Sequence, residues 1–191
     1  MIYWFIMKKL LTSLIIIMAA CPAMAEHNPF MGNNKNQIAL NFGQGVEFGY
    51  LTPPPWRYVP FYFFHAQYSQ PTTFFKIPAR QSLNIGQTVG FGEKYHWQWD
   101  RFTVPMVFLS EDISLFEYNN FYFAAGAGGG LQAKQNKRLG SKWLFQFKII
   151  AGYRINDTFG IEAFMQHFSN GNTAPENHSY AFYGMGLTYS F

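Results

Sequence analysis

His167 and Ser169 stand two residues apart in Met165-Gln166-His167-Phe168-Ser169-Asn170. A serine hydroxyl is a weak nucleophile until a neighbouring base takes its proton, and histidine is the side chain suited to that task near neutral pH. Asn170 and the backbone N–H groups that follow Ser169 are candidate donors to a developing oxyanion. Together these residue types describe acyl transfer through a covalent ester. The same residues at a strand end also make ordinary rim polarity, so their meaning depends on the element that carries them.

That element is the stretch from Phe159 to Phe191, which reads as two β-strands joined by a polar loop over 171–179. On a strand, residues two apart share a face, and the rise per residue puts their Cβ atoms roughly 7 Å apart. His167 and Ser169 therefore share a face with Phe159, Ile161, Ala163 and Met165, all apolar. Gly160, Glu162, Phe164, Gln166 and Phe168 make a mixed opposite face. In a water-soluble protein the apolar stripe would point into a core. In a membrane barrel it points at lipid.

The rest of the chain favours the barrel. Alternating segments run over Gln37 to Gln44, Val59 to Ser69, Gln81 to Gly92, Phe102 to Phe116, Phe121 to Leu131 and Trp143 to Tyr153, ahead of the final pair. Eight strands, an even number, close into the smallest class of antiparallel transmembrane β-barrel. Pro53-Pro54-Pro55 places 47–58 in a loop, and Pro71 with Pro78 makes 70–80 a second connection. Pro105 suggests a bulge in the fourth strand, and Glu111-Asp112 reads as solvation near a turn. Most of the long connections are odd-numbered, as expected of outward loops when the N-terminus is periplasmic. The basic loop carrying Lys134, Lys137 and Arg138 then lies at the same end as Ser169.

Composition agrees. Aromatic residues make up 20% of the 191 and charged residues only 13%, against about 25% charge in a soluble domain. Mean hydropathy is near zero, and past the N-terminus no apolar run reaches the roughly 20 residues of a membrane helix. A soluble barrel with a ligand cavity is the competing reading, but such barrels turn polar residues outward. The net charge of +4 is too small to argue for nucleic acid.

Residues 1–25 have the form of an export signal: Lys8 and Lys9, an apolar stretch from Leu10 to Ala20, and Ala23-Met24-Ala25 as cleavage site. Met18-Ala19-Ala20-Cys21 also resembles a lipobox. The expected domains are thus a signal peptide over 1–25 and a barrel over 26–191. Residues 26–35 read as an unstructured lead.

His167-x-Ser169-Asn170, followed by a polar loop and a last strand ending in Phe191, resembles the lipid A 3-O-deacylase (PagL) family. The local resemblance spans about the last 35 residues; upstream it is one of strand pattern. It implies an eight-stranded esterase of the Gram-negative outer membrane that removes the acyl chain at position 3 of lipid A, from a site on the barrel's outer wall. Ser169 would be nucleophile, His167 base and Asn170 an oxyanion donor, with lipopolysaccharide as partner and no metal or cofactor. The resemblance also implies a glutamate early on the last strand to orient the histidine. Here that stretch reads Ser179-Tyr180-Ala181, and Ala181 has the parity the acid needs. Glu176, in the preceding loop, is the nearest substitute, whereas Glu162 lies on the wrong face. A backbone or hydroxyl group in that role, or a weak or inactive relative, are the other outcomes.

Lys134, Lys137 and Arg138 are a solvated loop in the simplest reading and contacts for lipid A phosphates in the functional one, since cations pair well with phosphate. His65, His96 and His178 lack metal-ligand companions and read as rim or lumen residues. Two other classes stand beside the esterase. One is a non-catalytic barrel acting as structural protein, adhesin or surface binder. The other is an acyltransferase with a luminal site, which needs an amphipathic helix ahead of the barrel that residues 26–36 cannot form. The reading also allows a homodimer.

Overall fold

In a bilayer every backbone N–H and C=O must be paired within the protein, and a sheet that closes on itself leaves no edge. The computed structural model describes residues 28–32, 35–48, 56–90, 102–136 and 138–191. Among them the strands are β1 (Gln37–Phe48), β2 (Trp56–Phe74), β3 (Ile77–Gly90), β4 (Phe102–Tyr118), β5 (Phe121–Gln132), β6 (Trp143–Arg154), β7 (Phe159–Ser169) and β8 (Tyr180–Ser190). Consecutive strands pair antiparallel and β8 returns to β1, closing an all-β barrel. The expected signal peptide, the triple proline, His96 and Lys137 lie outside the described residues.

Period-two alternation sorts the side chains. Ile161, Met165, Phe147, Tyr183 and Leu187 are exposed on the outer wall, with Phe145 half-buried beside them. This is the outward set read from the sequence. The inward positions fill the lumen in two layers. Towards the loop end, Phe63 packs at 5.3 Å from Phe168 and 5.1 Å from Phe182, in a cluster with Phe61, Phe108 and Tyr180.

Towards the turn end lies a charged layer. The Arg80 guanidinium donates to Asp112 Oδ2 (2.8 Å), to both Glu162 oxygens (2.6 and 2.9 Å) and to Gln37 Oε1 (2.8 Å). Tyr122 donates to Glu162 Oε1 at 2.5 Å, and Lys148 Nζ is 4.0 Å from Asp112. These charges are fully buried, a placement tolerated only when each is paired.

Five expectations change. The first connection is shorter than 47–58, because β1 runs to Phe48 and β2 begins at Trp56. Connection two is no loop: β2 and β3 extend to a two-residue turn at Phe75 and Lys76, with φ of 48° and 70°. Pro71 and Pro78 fit this hairpin because they fall beyond the last partners of β1 (Gln37, opposite Ser69) and of β4 (Ile113, opposite Ala79). An absent N–H costs little on an unpaired edge. Pro105 causes no bulge; it sits just past the end of β5, where Met106 faces Gln132, and the irregularity falls between Ser114 and Phe116.

Asp112 is not turn solvation but a partner of Arg80, and Gly126 opposite it leaves the room: a Cβ there would lie 3.0 Å from Asp112 Cγ. The lead is not loose either. Asn28, Phe30 and Met31 are buried; Asn28 donates to the Ala79 carbonyl (2.8 Å), and Gln37 to that of Phe30 (2.8 Å). Phe30 stacks edge-on against Tyr122 and under Arg80, so the segment seals the charged layer.

Candidate active site on the outer wall

β7 carries His167 exposed and Ser169 half-buried on its outward face, at the loop end of the barrel. The ladder fixes their neighbours. Phe145 faces Ser169 and Phe147 faces His167 from β6, while Ala181 faces His167 from β8. The two side chains are brought to one surface, although no hydrogen bond joins them among the described residues. Catalytic hydrogen bonds are often long without substrate, and the i, i+2 spacing of roughly 7 Å leaves them within rotamer reach.

Below the pair the wall hollows. Ala151 and Ala163 face each other across β6 and β7, and their small side chains floor a groove of about 400 Å³. Phe123, Ile149 and Met165 wall it. The lining is almost wholly apolar and opens outward, so the groove suits a hydrocarbon chain.

Asn170 does something other than its expected role. It is fully buried on the opposite face from Ser169, and its Nδ2 donates to the carbonyls of Leu139 (2.6 Å) and Glu176 (2.7 Å). Its amide hydrogens are therefore occupied within the loops. Its own backbone N–H donates to Asn177 Oδ1 at 3.0 Å, and Asn177 Nδ2 donates to Asn172 Oδ1 at 2.8 Å. Asn177 is an organising residue that motif reading overlooked; the recurrence of asparagine at 170, 172 and 177 was the available signal. The braced turn carries Gly171 and Asn172 in the left-handed region, with φ of 61° and 59°. Gly171 is required there, since a Cβ would lie 2.8 Å from the Phe145 ring. The N–H groups of Gly171 and Asn172 make no hydrogen bond among the described residues, which leaves two donors beside Ser169.

Glu176 is exposed and lies over the other outward loop: a Cβ on Gly140 would meet its Oε2 at 2.6 Å. No contact brings it to His167. At the position expected of an orienting acid, Ala181 faces His167 and is 8% exposed. The surroundings of His167 on that side are apolar.

The loop over 133–142 does share the end of the barrel with Ser169. Besides the Asn170 bond to Leu139, His178 donates its N–H to the Arg138 carbonyl (2.9 Å), and Arg138 Nε donates to the Ser179 carbonyl. Arg138 itself is buried, paired with Glu47 at 2.9 Å and stacked over Phe61 at 4.9 Å. It caps the luminal aromatic layer and is not presented to lipid phosphates, contrary to the functional reading of that loop. Lys134 is exposed.

A closed eight-stranded antiparallel barrel with an apolar and aromatic outer wall defines a small outer-membrane β-barrel protein. The model of the lipid A 3-O-deacylase (PagL) family matches residues 62–190, and the chain belongs to that family. It therefore resides in the outer membrane of a Gram-negative bacterium. The barrel superposes on the crystal structure of the outer membrane enzyme PagL with a TM-score of 0.52 at 13% identity, covering 81% of this chain and 99% of that one. It also superposes on the Yersinia pestis outer membrane protein Ail in a phospholipid bilayer nanodisc, with a TM-score of 0.50 at 14% identity, covering 83% and 99%. No curated protein matches in sequence. At these identities the likenesses are of fold alone, and fold does not choose a chemistry.

Proposed function

We propose that this chain hydrolyses the ester at position 3 of lipid A from within the outer leaflet. The observation that carries the reading is the placement of His167 and Ser169 on the lipid-facing wall at the outward rim, above an apolar groove. An ester just below the headgroup sugars meets such a serine without leaving the membrane. His167 takes the Ser169 proton as Oγ attacks the carbonyl carbon. The tetrahedral oxyanion is held by the N–H groups of Gly171 and Asn172 in place of the Asn170 side chain. His167 returns the proton to the sugar oxygen as the C–O bond breaks. A water deprotonated by His167 then attacks the acyl-serine, and His167 passes that proton to Ser169 Oγ as the acyl C–Oγ bond breaks and the fatty acid leaves. Lys134 is the proposed loop contact for a lipid A phosphate, and residues 1–25 the export signal.

One observation favours a second reading. Ala181 faces His167 where an orienting acid is expected, and loss of that group elsewhere lowers kcat by about 10⁴-fold without abolishing catalysis. The alternative is a family member that binds lipid A and turns it over slowly or not at all. Purified protein in detergent, incubated with lipid A, separates the two. Release of one 3-linked fatty acid, lost in Ser169→Ala and in His167→Ala while both variants remain folded, supports hydrolysis. Activity that survives Ser169→Ala sinks the assignment.

A further inference from the structure

At the edge of the groove, which Tyr183 helps to line, Tyr58 of β2 and Tyr183 of β8 share a hydrogen bond of 2.5 Å between their hydroxyls, with ring centroids 5.9 Å apart. β1 separates the two strands, so the pair arches over its outer face, where Val46 lies. Both tyrosines face lipid, 51% and 43% exposed. The amide of Gln44, the polar neighbour on β1, is turned to the backbone, donating to the Val59 carbonyl at 2.7 Å. With the shared hydrogen supplied by Tyr58, the Tyr183 O–H is left to donate to a carbonyl oxygen.

The ladder places this pair relative to Ser169. Tyr183 is two residues from Ala181, which faces His167. In a barrel with strands tilted by roughly 45°, two residues down β8 cancel the rise gained in stepping across from β7. Tyr183 is therefore level with His167, at the depth of the acyl linkages. Along the wall its Cα is on the order of 14 Å from that of Ser169. That exceeds one sugar ring with its linkages and is spanned by two.

We propose that the Tyr58–Tyr183 hydroxyl pair is a second substrate contact. It binds an ester or amide carbonyl on the far sugar of an acylated disaccharide whose near sugar is presented to Ser169. The pair thereby makes the site prefer a disaccharide lipid to a monosaccharide one. The inference rests on the reading of this wall as a lipid A site.

The test compares disaccharide lipid A with a diacylated glucosamine 1-phosphate, using the full chain in detergent. For hydrolysis, the readout is the ratio of kcat/KM on the two lipids. Tyr58→Phe/Tyr183→Phe keeps both rings and is expected to lower that ratio about tenfold, through KM, the scale of one neutral hydrogen bond. In parallel, Ser169→Ala is titrated with each lipid with and without the two Phe substitutions, and the disaccharide preference in Kd is expected to fall by the same factor. A preference that survives the substitutions, equal losses on both lipids, or no binding of either lipid overturns the proposal. A tyrosine-dependent preference in binding with no hydrolysis by the unsubstituted chain upholds the contact and overturns the esterase reading.

Discussion

Across the β7–β8 ladder His167 faces Ala181, a methyl group where the orienting carboxylate of a serine–histidine pair would stand. Directly opposed Cβ atoms on paired strands are about 5 Å apart, within reach of a carboxylate to an imidazole. Ala181→Glu is therefore expected to raise kcat/KM on lipid A by at least about tenfold, towards the roughly 10⁴-fold worth of a triad acid. Ala181→Gln, of equal size, is expected not to. A steady-state comparison of the two variants checks this, and equal effects would show that His167 does not lack an orienting acid.

Glu176 is the only carboxylate in the loop that follows Ser169, yet its side chain lies over Gly140. Glu176→Ala is expected to change the deacylation rate by less than about twofold, since an exposed carboxylate with no partner among the described residues contributes little. A loss of several orders of magnitude in the same assay would mean that the loop rearranges to bring Glu176 onto His167.

Asn170 ties the two outward loops together through Leu139 and Glu176. Asn170→Ala leaves those carbonyls without their donor at a cost of about 1–3 kcal/mol. The expected result is a lower urea midpoint for unfolding in lipid vesicles, together with reduced activity from a disordered Gly171–Asn172 turn. Reduced activity at unchanged stability would point instead to direct contact with the reacting ester.

The barrel was legible because lipid and lumen impose opposite demands on alternate residues, and the side chains of strands such as Trp143–Arg154 and Phe159–Ser169 alternate outward and buried along almost their whole length. His167 and Ser169 were legible as a pair for the same reason, since parity alone puts them on one face. Parity does not say what meets inside. Asp112 and Arg80 are 32 residues apart and belong to different strands, so their pairing is set by register. The buried course of Asn28 to Met31 likewise depends on room left in the lumen. Arg138 read as a loop cation because a single sequence does not reveal that Glu47 and Phe61 converge on it.

The luminal charges are expected to be costly to break singly. Arg80→Leu leaves Glu162 without its bidentate partner and Asp112 with Lys148 alone, at about 3–5 kcal/mol for an uncompensated buried charge. Arg80→Leu/Glu162→Leu, which removes both sides of the tightest contact, is expected to recover part of the loss. Unfolding midpoints in vesicles measure both; a double variant no more stable than the single one would mean that the network acts by packing rather than by charge.

Ser169 is expected to cleave the 3-linked ester of lipid A in the membrane where both reside. Mass spectrometry of lipid A from cells expressing this chain, beside cells expressing Ser169→Ala at equal outer-membrane levels, tests it most directly. The expected result is a lipid A species lacking one hydroxyacyl chain, assigned to position 3 by fragmentation, in the first sample and not in the second. Identical lipid A in the two samples, deacylated or intact, would contradict it.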